Sequence, residues 1–220
     1  MKLKKPKFWD YKKPNIFAFL LWPLTLIIKL NSIIKIKKKI KYENIKTICV
    51  GNIYVGGTGK TSLAIKLKKI LEEKNFKVCF VKKFYKDQLD EKKLLEKHGK
   101  LFIKKRRIDA LEEAITEKYD VAIFDDGLQD GSINYDISFV CFNSLNWIGN
   151  GFLIPAGPLR ESINVLKLQD NVVLNGYDED LTDIKTQIKK INSNVKIFEN
   201  KYIHLNKDSF NKNQKYIVFS

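Results

Sequence analysis

The sequence has few residues of the kinds that build disulfide scaffolds and zinc sites. It contains three cysteines and two histidines in 220 residues, and Cys49, Cys79 and Cys141 each lie within an apolar, β-branched run. Their spacing fits neither a disulfide framework nor a zinc site. We therefore expect the three cysteines to be small, buried core residues of a protein in a reducing compartment. We expect His98 and His204 to be solvated.

Acidic residues are scarce at the start of the chain. Residues 1–50 hold thirteen lysines but only two acids, Asp10 and Glu43, whereas the remainder is only mildly basic. The whole chain carries 41 Lys+Arg against 25 Asp+Glu, a net charge of +16. Such a surplus predicts an anionic partner, either nucleic acid or a membrane surface.

The sequence also lacks a long apolar run. Its most apolar stretch, residues 16–28, is flanked by lysines and interrupted by Pro23. As a helix it covers about 20 Å, less than the hydrocarbon core of about 30 Å. We expect it to lie in the membrane interface, with Trp22 at headgroup depth and the lysines on anionic lipid. The alternative is an amphipathic helix packed on the protein's own core.

Two other interpretations of this basic arm are disfavoured. No small-residue cleavage site follows the apolar run, which argues against a secretory signal peptide. Nucleic acid is not expected as a partner. The lysines surround an apolar run, whereas a nucleic-acid site would combine them with aromatic residues that stack on bases from a polar face.

After the arm, strand-like and helical runs alternate, which is typical of a parallel sheet with crossover helices. Helices are predicted at 61–73 and within 94–117, where a short strand-like segment, 101–103, interrupts the second. A chain of 220 residues can bury one α/β core, and a second full domain is not expected. The predicted strands are 46–50, 77–81, 121–124, 137–142 and 171–174.

The glycine-rich run Gly51–Thr61 lies between the first strand and the first helix. Such a turn directs backbone N–H groups at a phosphate, while Lys60 reaches the outer phosphates and Thr61 holds Mg²⁺. Tyr54 stands where the strict Walker A spacing has glycine, so the loop is a variant. A flexible turn with a chance lysine is the alternative. The residues assigned to ATP binding are Gly56, Gly57, Thr58, Gly59, Lys60 and Thr61.

A second motif lies about 65 residues further along, where an apolar strand ends in Asp125, Asp126 and Gly127. A carboxylate at a strand end, a threonine hydroxyl and phosphate oxygens together suit Mg²⁺, a hard cation that keeps several waters. Either aspartate can be the ligand, and the other can orient a loop or a water. A plain Asp-Asp-Gly turn is the alternative.

Three ordered segments resemble the signatures of the tetraacyldisaccharide 4'-kinase family: Gly51–Thr61, Asp125–Gln129 and Gly149–Glu161. The resemblance implies an α/β fold with a P-loop NTPase-like, mostly parallel sheet and flanking helices, preceded by an N-terminal membrane-associated helix. It implies ATP- and Mg²⁺-dependent transfer of the γ-phosphate to an acylated disaccharide lipid in lipid A biosynthesis. We expect a monomer, peripheral or monotopic, at the cytoplasmic face of a Gram-negative inner membrane.

The resemblance also assigns two further roles. Leu89–Glu91 resembles the family's GDE segment, which makes Asp90 the general base for the sugar hydroxyl; a solvated helix start is the alternative. Arg160 is a candidate phosphate or sugar contact, since its planar fork binds oxyanions bidentately. A rigid turn before a helix is the alternative for residues 155–161.

The chain departs from the family pattern at three places. Lys82–Lys86 replaces an SRGYG segment, and Asp130 replaces a histidine. Residues 215–220 resemble a strand that the family continues into a smaller C-terminal lobe, which we expect to be absent. The expected organisation is an arm at 1–44 and a kinase domain at 45–220. Rival interpretations are a truncated, non-catalytic nucleotide- and membrane-binding protein and another P-loop ATPase of the partitioning or biotin-synthesis type.

Overall fold

A computed structural model of the chain describes residues 5–34, 39–85, 88–176 and 180–201, with the backbone alone at 27–34. The described residues form a seven-stranded sheet in which all neighbouring strands are parallel. The strands are β1 (Lys46–Gly51), β2 (Val78–Lys83), β3 (Leu101–Lys104), β4 (Val121–Asp125), β5 (Ile137–Asn143), β6 (Asn171–Gly176) and β7 (Lys196–Lys201). Their order across the sheet is β3-β2-β4-β1-β5-β6-β7.

Helices cover both faces of this sheet. They are α1 (Ile16–Ile34), α2 (Lys60–Glu72), α3 (Leu89–His98), α4 (Arg107–Thr116) and α5 (Thr182–Ile191). Along β4, Val121 and Ile123 pack in one cluster with residues of α2 and α3, whereas Ala122 and Phe124 pack in another with α4. This alternation explains why β4 is buried at every position, as expected for a parallel strand covered on both faces.

The predicted α/β fold with a parallel sheet is confirmed. The six strand-like segments and the helix at 61–73 lie within two residues of the observed elements at each end. The region 94–117 contains the end of α3, then β3, then α4, as its interruption indicated. The sequence analysis did not predict α5 or β7.

The three cysteines are free and buried, as expected. Burial raises the pKa of each thiol, to about 12 for Cys79 and Cys141, so the thiols stay protonated. Cys49, Cys79 and Cys141 therefore act as core residues.

The carboxyl ends of all the strands lie at one edge of the sheet, because the strands are parallel. From β1 the chain crosses to β2 on one side, whereas β5 pairs with β1 on the other. The end of β1 therefore lies at a topological switch point, where open α/β sheets bind ligands. The segments that follow β1, β2, β4 and β6 meet at this edge.

The helix α1 runs without a break through Pro23, so the expectation that Pro23 interrupts the apolar run was wrong. Proline lacks an N–H and removes one bond of the helix ladder, a loss that can bend a helix without ending it. Close to the proline, the Thr25 hydroxyl donates a hydrogen bond to the carbonyl of Trp22, about one turn earlier, at 2.6 Å.

One face of α1 is exposed and apolar. Ile16 and Leu20 expose 78% and 76% of their surface, and Leu24, one turn further, is also exposed. Ala18 and Thr25, on the opposite face, are buried. Within the described ranges, no helix combines the length and apolarity needed to cross a bilayer.

Candidate active site

A glycine-rich loop joins the end of β1 to the first turn of α2. Gly59 caps α2 with φ 78°, in the left-handed region that favours glycine. A Cβ built on Gly57 would meet nothing within 4 Å, so a ligand can approach the backbone there. Because the first N–H groups of a helix have no partner within it, this loop and helix end form a site that attracts phosphate.

Two asparagines brace this loop from inside. The Asn52 amide donates to the Tyr54 carbonyl at 2.7 Å and to Oγ1 of Thr58 at 2.9 Å. From the end of β6, Asn175 donates to the Thr58 carbonyl at 2.7 Å. Thr58 is buried, and its hydroxyl therefore shapes the loop from within rather than facing outward. The sequence analysis missed Asn175 because β6 is far from the loop in sequence, and it gave no role to Asn52, which lies within the loop.

Lys60 and Thr61 begin α2, and both are half-buried beside the end of β4. Burial raises the pKa of Asp126, but Lys60 and then Arg160 outweigh it and hold that pKa below its usual value. Burial raises the pKa of Asp125 overall, although Lys82 and then Lys60 oppose the rise. The structure thus brings the predicted phosphate lysine close to both predicted metal carboxylates.

The two aspartates have different partners. Asp125 ends β4, is fully buried, and accepts from Nζ of Lys82 at 2.6 Å through Oδ2. Asp126 turns away with φ 59°, and both of its oxygens accept from Nη1 of Arg160, at 2.9 and 3.1 Å. Asp125 therefore faces the interior beneath the loop, whereas Asp126 is tied to the segment that carries Arg160.

One oxygen of Asp125 is suited to a cation. Among the described residues, Oδ1 of Asp125 is buried and has no hydrogen-bond partner. The same residues contain no group of three or more His, Cys, Asp or Glu side chains that could hold a metal by itself. Mg²⁺ needs few protein ligands when phosphates and waters complete its shell. Asp125 and the Thr61 hydroxyl provide oxygen donors of that kind, so the residues fit this ion.

The segment before Arg160 pairs with the phosphate-binding loop. The N–H of Val55 donates to the Pro158 carbonyl at 2.9 Å, and the N–H of Arg160 donates to the Ile53 carbonyl at 2.7 Å. A Cβ on Gly157 would lie 2.2 Å from Oδ1 of Asn150, so only glycine fits there. The motif at 149–161 is therefore held against the loop, and this places Arg160 beside Asp126.

A second arginine, which the sequence analysis missed, holds the backbone after β4. Arg107 of α4 is buried, and its Nη2 donates to the Asp126 carbonyl at 2.5 Å. Its Nη1 donates to Asp130 at 3.1 Å. Burial raises the pKa of Asp130, but hydrogen bonds from Ser132 and the charge of Arg107 lower it overall. The aspartate that replaces the family's histidine is thus an ionised partner of Arg107.

Asp90 lies in the first turn of α3 and is exposed. Its neighbour Glu91 accepts from Nζ of Lys82 at 2.5 Å, so α3 is joined through Lys82 to Asp125. Burial lowers the pKa of Lys82, but Asp125 and Glu91 outweigh it and raise the pKa, so this lysine stays charged. Removing one partner of a buried ion pair typically costs about 3–5 kcal/mol, so Lys82 and Asp125 depend on each other.

Of the two histidines, only His98 lies among the described residues, and it is not part of this site. His98 is exposed in the last turn of α3. His204 and the strand-like segment at 215–220 lie outside the described residues.

The start of the basic arm docks beside the loop. The Tyr54 hydroxyl donates to Asp10 and accepts from Nζ of Lys5 at 2.6 Å. Nearby, the Trp9 indole donates to the Pro155 carbonyl at 3.0 Å, and the N–H of Asn150 donates to the Trp9 carbonyl at 3.0 Å. The tyrosine that replaces the Walker A glycine is thus a contact between the arm and the loop.

Comparison with known proteins gives consistent matches. The family model for tetraacyldisaccharide-1-P 4'-kinase (LpxK) matches residues 17–100 and 86–218. The tetraacyldisaccharide 4'-kinase of Pelagibacter ubique (strain HTCC1062) is 61% identical over 220 residues, which are 100% of this chain and 70% of that protein. That of Rickettsia canadensis (strain McKiel) is 38% identical over 182 residues, 74% of this chain and 55% of that protein.

Among solved structures, LpxK from Aquifex aeolicus in complex with ATP has a TM-score of 0.58 with this chain. The two are 19% identical, and the match covers 91% of this chain and 84% of that one. This likeness shows a shared fold.

Proposed function

The chain belongs to the tetraacyldisaccharide 4'-kinase family, and we propose that it transfers the γ-phosphate of ATP to the 4'-hydroxyl of a tetraacylated glucosamine disaccharide 1-phosphate in lipid A biosynthesis. The observation that carries the proposal is the 61% identity to a kinase of that name across all 220 residues. The meeting of Lys60, Asp125, Asp126 and Arg160 at one sheet edge supports it.

In this proposal the glycine-rich loop holds the phosphates of ATP. Backbone N–H groups at 56–61 bind phosphate oxygens, and Lys60 binds the outer phosphates. Thr61 and Asp125 would hold Mg²⁺, which would supply positive charge against that of the phosphates. Asp126 holds Arg160 through Nη1, and the other side-chain N–H groups of Arg160, which have no hydrogen-bond partner among the described residues, can contact a phosphate or sugar oxygen.

The acceptor hydroxyl needs a base. We assign this role to Asp90, which is exposed where α3 begins. The 4'-oxygen attacks the γ-phosphorus, the bond to the β–γ bridging oxygen breaks, and ADP leaves. The hydroxyl proton passes to the Asp90 carboxylate, so the step balances without a further reactant.

A direct assay tests this function. With labelled ATP, Mg²⁺ and the tetraacylated disaccharide 1-phosphate, label should appear on the lipid. The matched acceptor that lacks the 4'-hydroxyl should stay unlabelled. Acceptor-independent ATP hydrolysis would instead favour another P-loop ATPase, and ATP binding without any turnover would favour the non-catalytic alternative. Neither alternative is favoured by the family match, which covers the loop and both aspartates.

The proposal includes a membrane-binding arm at 1–44 and a kinase domain at 45–220. The acyl chains of the substrate stay in the bilayer, so the enzyme must work at its surface. The exposed face of α1, with Ile16, Leu20 and Leu24, supports an interfacial position, and the flanking lysines suit anionic lipid. We propose peripheral binding at the cytoplasmic face of the inner membrane.

Replacing Ile16, Leu20 and Leu24 together by glutamine should release the protein from phosphatidylglycerol vesicles and leave ATP binding nearly unchanged. The three side chains are exposed, so their loss should not damage the core. Vesicle sedimentation at low and high salt measures the effect. Leu168, which is 80% exposed and lies outside α1, gives the control variant Leu168→Gln. If the triple variant still pellets with lipid to the same extent, this face of α1 does not bind the membrane.

A further inference from the structure

A buried lysine joins the strand that ends in Asp125 to the helix that carries Asp90. Lys82 comes near the end of β2, and the register that pairs Val81 with Phe124 sets it beside Asp125. Its Nζ lies 2.6 Å from Oδ2 of Asp125 and 2.5 Å from Oε2 of Glu91. One ammonium thus binds two carboxylates that come from different elements.

This arrangement differs from the surface ion pairs of the protein. The Lys82 side chain is 3% exposed and that of Asp125 is fully buried, and of the three only Glu91 is partly exposed, at 43%. By contrast, Lys92 and Glu96 on α3 are 40% and 48% exposed and 3.6 Å apart. Exposed pairs contribute little to stability, whereas a desolvated ammonium requires its partners. The ammonium of Lys82 donates to two carboxylates, so the lysine can act through Asp125 and Glu91.

The contact with Glu91 fixes the first turn of α3. Further along that helix, Leu95 is buried in the core and anchors its second half. Glu91 is the residue after Asp90, so the Lys82–Glu91 pair sets the position of Asp90 relative to β4. An error of about 1 Å in the position of a reacting group can lower a rate by about 10²-fold, which gives this anchor a catalytic consequence.

We propose that Lys82 is a positioning residue for phosphoryl transfer: by binding Asp125 and Glu91 at once, it holds the start of α3, and with it Asp90, against the phosphate-binding edge of the sheet. The role in transfer rests on the proposed function, whereas the mechanical link between β4 and α3 does not.

The test uses Lys82→Met and Glu91→Gln in the full chain, with Lys92→Met and Glu96→Gln as controls from the exposed pair on the same helix. Hydrogen exchange is followed at the amides of residues 92–95, which bond to the first-turn carbonyls. Single-turnover transfer and Mg-ATP affinity are measured in parallel. Glu91 is 43% exposed, so Glu91→Gln should fold even if Lys82→Met does not.

We expect faster exchange at 92–95 and a transfer rate lowered by at least about tenfold in both test variants, with Mg-ATP affinity nearly unchanged in Glu91→Gln, which leaves the Lys82–Asp125 pair intact. The controls should match the unmutated chain. Unchanged exchange in Glu91→Gln would overturn the proposed link, and faster exchange with a normal transfer rate would overturn the positioning role. If the unmutated chain transfers no phosphate, the proposed function fails, and the exchange data still decide whether Lys82 anchors α3.

Discussion

Replacing Lys60 with alanine is expected to lower phosphoryl transfer by about 10²- to 10³-fold, the usual cost of removing one group that stabilises charge in the transition state. Lys60 begins α2 at the end of the glycine-rich loop, and its charge acts on both Asp125 and Asp126. The fold should survive, because this side chain is only half-buried. Single-turnover transfer at saturating Mg-ATP, together with thermal unfolding, measures both effects.

Lys66→Ala is the matched control, since Lys66 is exposed on the same helix. It should retain the rate of the unmutated chain. Thr61→Ala is a companion variant that should weaken the dependence on Mg²⁺, because it removes a hydroxyl from the proposed metal shell. Unchanged Mg-ATP affinity and turnover in Lys60→Ala would refute the assignment of this loop to nucleotide binding.

Local sequence signals were sufficient for the loop and for most of the sheet. A strand buried on both faces has a continuous apolar run, and β1 and β4 are of this kind. Gly56 and Gly59, which follow β1, mark the turn into α2 because their positive φ angles favour glycine. These features depend on neighbouring residues in the chain, and sequence patterns can record them.

The contacts that position the site could not be predicted in the same way. Lys82 meets Asp125 only because β2 pairs with β4, and Asn175 reaches Thr58 only because β6 ends near the loop. Arg107 carried no motif that the sequence analysis could use, yet it is buried against the backbone of Asp126. Each of these roles depends on the order of strands, which the sequence does not state directly.

The two elements missed near the end of the described chain have different causes. β7 is an edge strand that is mostly exposed, so it carries charged residues instead of an apolar run. In α5, the apolar residues Ile184, Ile188 and Ile191 have helical spacing and pack on the core, so a periodicity count would have found this helix.

Asp90→Asn should lower the rate of the chemical step by about 10²- to 10⁴-fold, the usual cost of losing a general base. The amide keeps the shape of the carboxylate but cannot accept the proton of the sugar hydroxyl. Because Asp90 is exposed at the start of α3, the change should leave the fold and the affinity for Mg-ATP nearly unaltered. Single-turnover transfer to the tetraacylated disaccharide, at saturating Mg-ATP, measures the chemical step.

Comparison variants separate a base from a metal ligand. Asp125→Asn changes a group whose Oδ1 is buried without a partner among the described residues, so it should weaken the dependence on Mg²⁺. The change also removes the charge that pairs with buried Lys82, so thermal unfolding is measured alongside it. Glu96→Gln, an exposed acid on the same helix as Asp90, should transfer phosphate at the normal rate. A base lost at Asp90 should lower the rate at every Mg²⁺ concentration, whereas excess metal should partly restore Asp125→Asn. Near-normal transfer by Asp90→Asn would show that another group accepts the proton, and the solvated helix start would then be the better description of Asp90.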